Sequence, residues 1–405
     1  MDSLLDNMRF LCDEAQMLCG ICVAYGTPTQ SESALYGCAR RLKRRGTAFI
    51  PSTQPLAADS LCDLASLTKL FTAVLAMMLV EQRRLSLEET VGDIDPRFCN
   101  LSSVRVGDVL GFCVSLQTDG RIDDAPNREE GLRRLFAARV VPTPAVRVYS
   151  DINAMVMKYV LEAKTGRALD DALAEWILAP AGMRETYACV PAALQSRCVC
   201  YNYEHRIQRS RYVLRCDTPP GTPHDPKALL LSQGGRDLCG HAGLFSTQAD
   251  MIRFAQALLN GELVRRETLL EIGKNRTGRP NPDGTHRQYL GYLCFAKHPN
   301  QYLSEVPAWM GEGSIGLSGF TGNHLSIDPV RGRFVLFLGN RCHARLSHIA
   351  PRPESTLPYG LAGDGTGLYR WPDGHLVPSS VRYVHFKDAR LHAPIEARMR
   401  ELGWL

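Results

Sequence analysis

From Asp63 to Glu81 the chain reads Asp-Leu-Ala-Ser-Leu-Thr-Lys-Leu-Phe-Thr-Ala-Val-Leu-Ala-Met-Met-Leu-Val-Glu. Leu70, Phe71, Val74, Leu75, Met78 and Leu79 recur at helical spacing, and Gln82-Arg-Arg84 ends the apolar run. A helix this apolar must be buried, so the rest of the chain has to fold around it. Asp63 is expected to be its N-cap. The polar residues sit at its start. Ser66 and Lys69 are three apart and therefore neighbours on one face. A serine hydroxyl is a weak nucleophile until a neighbouring base takes its proton. Lysine becomes that base where a dry, cationic setting lowers its pKa. The first helical turn adds a positive dipole end and backbone N–H groups free to face an oxyanion.

A chain of 405 residues can bury a sizeable core as one large or two interleaved domains. Its 45% hydrophobic and 22% charged residues suit a soluble globular protein, and a net charge of +5 is small for this length. The densest basic cluster, Arg40 to Arg45, reads as a solvated hairpin, so no nucleic-acid partner is expected. No stretch approaches 18 uninterrupted apolar residues, and no membrane partner is expected. The start, Met-Asp-Ser-Leu-Leu-Asp, is unlike a secretory signal. The 14 cysteines are scattered; Cys19/Cys22 and Cys198/Cys200 are the close pairs, read as buried small hydrophobes and not as a metal or redox site. Thiols in this number point to a reducing cytoplasm.

In chain order, strands are expected at Gly20–Tyr25, Ser33–Tyr36 and Thr47–Ile50, and a turn-rich linker at Leu85–Pro96. Helices are expected at Ser103–Leu116, Arg128–Ala138, Met155 to Gly166 (amphipathic), Leu169–Leu178 and Gln248–Leu259. Residues 190–235 read as loop. Tyr289–Phe295, His324–Ile327 and Phe334–Leu338 read as strands.

Two further stretches carry polar groups suited to a cleft. Tyr149-Ser-Asp151 stands on a turn before a helix, where a tyrosine between two cations could be partly ionised and relay a proton. Gly316-Leu-Ser-Gly-Phe-Thr-Gly322 precedes a strand, its small residues allowing close approach to the backbone. The N–H of Phe320 there could be a second oxyanion donor beside that of Ser66.

Together these stretches resemble the serine β-lactamase and penicillin-binding-protein superfamily, nearest to its class C-like branch. Asp63–Lys69 is similar to that branch's first motif. Tyr149–Asp151, followed by a helix and Pro180-Ala-Gly-Met-Arg-Glu-Thr186, is similar to its second. Gly240-His-Ala-Gly-Leu-Phe-Ser-Thr247, Gly319-Phe-Thr-Gly322, Ile327-Asp-Pro329 and Asn340-Arg341 match further segments in order. The resemblance implies an α/β (α+β) fold: an antiparallel sheet flanked by helices, from residues 1–62 and 260–363, with a mainly helical domain over 63–259. Residues 364–405 are expected to form a docked extension that could sit at a homodimer contact.

The resemblance also implies roles. Ser66 would be acylated, Lys69 its base partner and Tyr149 the general acid/base. Asp151 holds a place where relatives often carry Asn, and a carboxylate cannot donate to a substrate carbonyl. The third motif, often Lys-Thr-Gly or His-Thr-Gly, is here Leu317-Ser318-Gly319; without a cation, recognition of a substrate carboxylate is disfavoured, and an apolar residue is more often an esterase feature. The Leu-Leu-x-His-x-Ser-Gly-Leu stretch of relatives is altered to Val109–Leu116. His241 aligns with a pocket wall, and His224-Asp225 with a loop over it that could act as a lid. No Gly-x-Ser-x-Gly elbow or His-Glu-x-x-His motif is present, and no metal or cofactor is expected. The expected activity is a cytoplasmic serine hydrolase cleaving a small-molecule ester or amide at neutral to alkaline pH. An acyltransferase is the alternative, then a β-lactamase or D-peptidase, then a non-catalytic binding protein.

Overall fold

The computed structural model describes residues 2–46, 48–142, 149–216, 218–232, 237–278, 288–298, 305–351 and 367–405. Its centre is a seven-stranded sheet in the order Phe295–Ala296, Ile315–Ser318, His324–Asp328, Arg333–Gly339, Gly20–Gly26, Ser31–Arg45, Ala48–Pro55. Every pairing in it is antiparallel. Arg40 to Arg45 lie on the hairpin between the last two strands, with Arg44 and Arg45 exposed.

Both faces of the central strands are covered, and strand alternation divides the residues between two cores. Cys22, Ala24, Phe334, Leu336, Leu338, Leu325 and Ile327 join the larger core, which contains the helix Thr68–Glu81. Ile21, Val23, Tyr25, Val335 and Phe337 face the other way. There they pack with Leu4, Met8 and Leu11 of the N-terminal helical segment and with Tyr383, Leu391, Ile395 and Met399 from the C-terminal end. The two termini thus share one layer on the back of the sheet.

The nucleophile-candidate helix is buried nearly all round, with Thr68 to Met77 and Leu79 inaccessible. Phe71 stacks on Phe254 of the helix Gln248–Leu259 at 4.1 Å between ring centres, a contact contributing about 0.5–1.5 kcal/mol beyond area burial. The helix Asp151–Thr165 starts on Ser150, whose side chain accepts from the Ile152 N–H, and stops at Gly166 in the left-handed region.

Several local expectations are corrected. Asp63 does not cap the long helix. It precedes a 3-10 turn, Ala65–Leu67, and its carboxylate accepts from the N–H groups of Ala65 (2.8 Å) and His224 (2.6 Å). The helix expected over Ser103–Leu116 is confined to Val106–Leu110, because Gly111 and then Phe112, at φ 54°, turn the chain into the strand Ser115–Gln117. The linker Leu85–Pro96 contains a helical turn, Val91–Ile94. The helix after Ser150 is not amphipathic, being buried from Asn153 through Leu161.

The stretch 190–235 holds a hairpin, Glu204–Gln208 with Arg211–Arg215, extended by Leu346–Ala350, and then a helix, Pro226–Ser232. Its charged strand residues hide the alternation that would have revealed it. Tyr289–Phe295 is mostly turn: Leu293 has φ 52°, and Phe295–Ala296 alone joins the sheet. No helix among the described residues is long and apolar enough to cross a membrane.

Candidate active site

The start of the buried helix meets the sheet at the loop following the strand Ile315–Ser318. Asp63 ties the two together: its carbonyl accepts from Asn323 Nδ2 (2.7 Å) and Thr321 Oγ1 (3.0 Å). Asn323 Oδ1 accepts from the Gly339 N–H at 2.9 Å, so this buried amide joins three segments. Replacing Asn323 by Ala strands the buried Gly339 N–H, at a cost of about 1–3 kcal/mol, and leaves the Asp63 carbonyl with Thr321 as its donor. Urea unfolding should show Asn323→Ala less stable by about 2 kcal/mol; a loss under 1 kcal/mol would contradict this account.

Close packing at this junction needs Gly319. A Cβ there would stand 2.8 Å from the Leu64 carbonyl and 3.4 Å from the Ala65 Cβ. Ala65 itself is held at φ 47°, an unfavourable conformation for a residue with a side chain, immediately before Ser66. The segment Gly240–Thr247 runs along the other side of the helix. Thr72 Oγ1 donates to the Gly240 carbonyl (2.7 Å), and the Leu244 N–H donates to Thr68 Oγ1 (3.3 Å). Gly240, at φ 74°, admits no side chain, since a Cβ would lie 2.6 Å from the Ala154 carbonyl.

Lys69 is fully buried, and its ammonium has three partners: Ser66 Oγ at 2.9 Å, Asp151 Oδ1 at 2.8 Å and the His241 carbonyl at 3.2 Å. Burial pulls its pKa down, but Asp151 and Tyr149 beside it outweigh burial and hold it above that of an ordinary lysine. This corrects the expected lowering: at rest Lys69 is a cation donating to Ser66. Asp151 is kept ionised despite burial by Lys69 and Lys227, and its pKa lies below the usual carboxylate range. Lys227 Nζ reaches Asp151 Oδ2 and Asp225 Oδ2, each at 3.1 Å, so two cations and two carboxylates alternate behind Ser66.

Tyr149 packs between Phe295, stacked at 5.4 Å, and Phe112, with Lys69 Nζ 4.8 Å from its ring centre. Its hydroxyl is buried close to Lys69 and Ser66, with no well-aligned hydrogen bond among the described residues, and burial raises its pKa in spite of Lys69. The phenol is therefore neutral at rest, which corrects the expected partial ionisation between two cations.

A cavity of about 260 Å³ opens at this point. Ser66, Tyr149, Ser318, Gly319 and Phe320 line it, and the structure brings these five sequence candidates together. The other candidates lie elsewhere. Leu317 points into the large core, because alternation along the strand puts it opposite Ser318. The His241 ring is buried and bonded through Nε2 to Asp225 (2.9 Å); its carbonyl, not its imidazole, reaches the site. Asp151 meets Lys69 and Lys227.

His224 is no lid. Its ring is buried against Glu204 at 2.8 Å, and Asp225 is held by His241 and Lys227. Sequence reasoning missed Lys227, two residues beyond Asp225, and also Glu305, Arg341, Tyr383 and Lys387, which line the cavity from distant segments.

Two clusters of potential metal ligands occur among the described residues: Glu204, His224 and Cys342, and Asp151, Asp225 and His241. Arg206 (2.8 Å) meets the Glu204 carboxylate, and Lys69 and Lys227 meet that of Asp151, so side-chain cations already balance both groups.

Comparison with known proteins bears on the family and the fold. The Beta-lactamase family model matches residues 29–352. A putative D-alanyl-D-alanine carboxypeptidase of Salmonella typhi is 25% identical over 331 residues, 73% of each chain. A class C β-lactamase solved with cefoxitin superposes with a TM-score of 0.62 at 18% identity, over 84% of this chain and 93% of that one. Simvastatin synthase (LovD) of Aspergillus terreus superposes at 0.63 and 16% identity over 97% of both chains. The sequence matches and the shared architecture place this chain in the β-lactamase family.

Proposed function

We propose that the protein cleaves an ester or amide of a small molecule through an acyl-enzyme on Ser66. The observation that carries this reading is Ser66 Oγ, 2.9 Å from the buried Lys69 ammonium and lining the cavity beside Tyr149 and Phe320. In the forward step Ser66 Oγ bonds to the substrate carbonyl carbon while its proton leaves to a base. Lys69 serves once it has lost its extra proton; the Tyr149 hydroxyl protonates the leaving oxygen or nitrogen as its bond to the carbonyl carbon breaks, and Tyr149 regains a proton from the neighbouring Lys69. In this reading the N–H groups of Ser66 and Phe320, two residues that line the cavity, receive the oxyanion. Water then resolves the acyl-enzyme; an alcohol or amine resolving the same intermediate would make the protein an acyltransferase.

Intact-mass spectrometry during turnover of p-nitrophenyl butyrate, with and without added alcohols, tests this reading. A butyryl adduct on the wild-type protein is expected. Release of butyric acid in the presence of alcohol identifies a hydrolase, and butyrate ester identifies an acyltransferase. Absence of any adduct, together with no release of p-nitrophenol above background, would overturn the proposal.

A further inference from the structure

The C-terminal helix Tyr383–Lys387 forms part of the wall of the cavity that holds Ser66, through Tyr383, Val384 and Lys387. It is tied down at both ends. The Tyr383 hydroxyl donates to the Gly322 carbonyl at 3.2 Å, and Lys387 Nζ meets Glu305 Oε2 at 2.9 Å. These two anchors fall on the segments before and after the strand Ile315–Ser318, so the helix is held against the rim of the site.

Val384 lies between the anchors, three residues before Lys387 and therefore on the same helix face. It is half-buried, yet it joins neither of the two cores that cover the sheet. An apolar side chain withdrawn from bulk water without entering a core has the cavity for its remaining contact. Val384 is also the one aliphatic side chain among the described residues that line this cavity. The aromatic rings there are engaged elsewhere. Tyr149 packs between Phe295 and Phe112, Tyr383 belongs to the core behind the sheet, and the guanidinium groups of Arg206 and Arg341 lie 4.9 and 5.0 Å from the centre of the Phe320 ring.

We infer that Val384 is a specificity-determining residue: it is the apolar wall against which an aliphatic part of the substrate ends, and it limits the length of that part. The inference rests on the acyl-enzyme reading of Ser66, since the chain is measured from the carbonyl that Ser66 attacks. The cavity of about 260 Å³ is smaller than the roughly 300–1,000 Å³ usual for ligand sites, so a chain that fits it reaches the wall after few carbons. At such a wall one methylene changes kcat/KM by about 10- to 200-fold.

The test uses two series of esters. The p-nitrophenyl esters of acetate, butyrate, hexanoate and octanoate vary the acyl part; the ethyl, butyl, hexyl and octyl esters of butyrate vary the alcohol. Each protein's kcat/KM is expressed relative to its own shortest substrate, so that losses of folding or of general activity cancel. In one series the wild-type ratio should fall by about tenfold or more at a definite chain length. Val384→Ala should move that fall to longer chains and raise the ratio for the first rejected ester about tenfold. Val384→Phe should move it to shorter chains and lower the ratio for the last accepted ester by a similar factor. Opposite displacements cannot come from a general loosening of the helix. The inference is overturned by a wild type with no chain-length limit in either series, or by a limit that the two variants leave in place or shift in the same direction. If the wild-type protein gives no Ser66 adduct with a fluorophosphonate, the acyl-enzyme reading fails instead, so the two failures are distinguishable.

Discussion

Ser66→Ala is expected to lose all labelling by a fluorophosphonate and to lower ester turnover by about 10⁴-fold or more, the scale on which removal of a catalytic nucleophile acts. The variant should fold as the wild type does, because the hydroxyl is not part of the buried junction. Asn323, Thr321 and Asp63 carry that load without it. Intact mass before and after exposure gives the result directly. An adduct of equal size on the variant would place the reactive group elsewhere and would sink the role assigned to Ser66.

Asp151→Asn should move the acid limb of the labelling rate to lower pH, by about one pH unit or more. Lys69 can accept the Ser66 proton only after losing its own. In the wild type, burial pulls the Lys69 pKa down, but the Asp151 carboxylate, with Tyr149 beside it, holds it above that of an ordinary lysine, so the rate climbs only on the alkaline side. Removing the carboxylate leaves burial acting with one partner fewer, and Lys227, now without its bond to Asp151 Oδ2, adds a like charge. Both effects lower the Lys69 pKa. The limb therefore moves acidward, and at pH 7 the variant should label about tenfold faster than wild type for every pH unit that the limb travels. Fluorophosphonate labelling rates from pH 6 to pH 10.5 measure this. A limb that stays in place would show that Lys69 is not the base and would move the role to Tyr149.

Much of this site is legible in the chain. The 3.6-residue period over Leu70–Leu79 requires a buried helix, and three-residue spacing from the 3-10 turn Ala65–Leu67 into that helix puts Lys69 beside Ser66. Ser150 and Gly166 mark the two ends of the helix that carries Asp151. Apolar, β-branched runs identify the strands His324–Asp328 and Arg333–Gly339. These signals are local, written in the spacing of residues a few places apart.

What the sequence could not state is which groups meet across long separations. Lys387 joins Ser318 from 69 residues away, and Lys227 reaches Asp151 from another helix. Those meetings set the charge of Lys69 and bring a cation beside Ser318, so they decide the chemistry of residues whose positions the sequence had already shown. Leu317 and Ser318 illustrate the division of labour. Alternation along a strand requires them to face opposite ways. Only the packing of the helical core on one face, and of the C-terminal segment near the other, put Leu317 in the interior and Ser318 in the cavity.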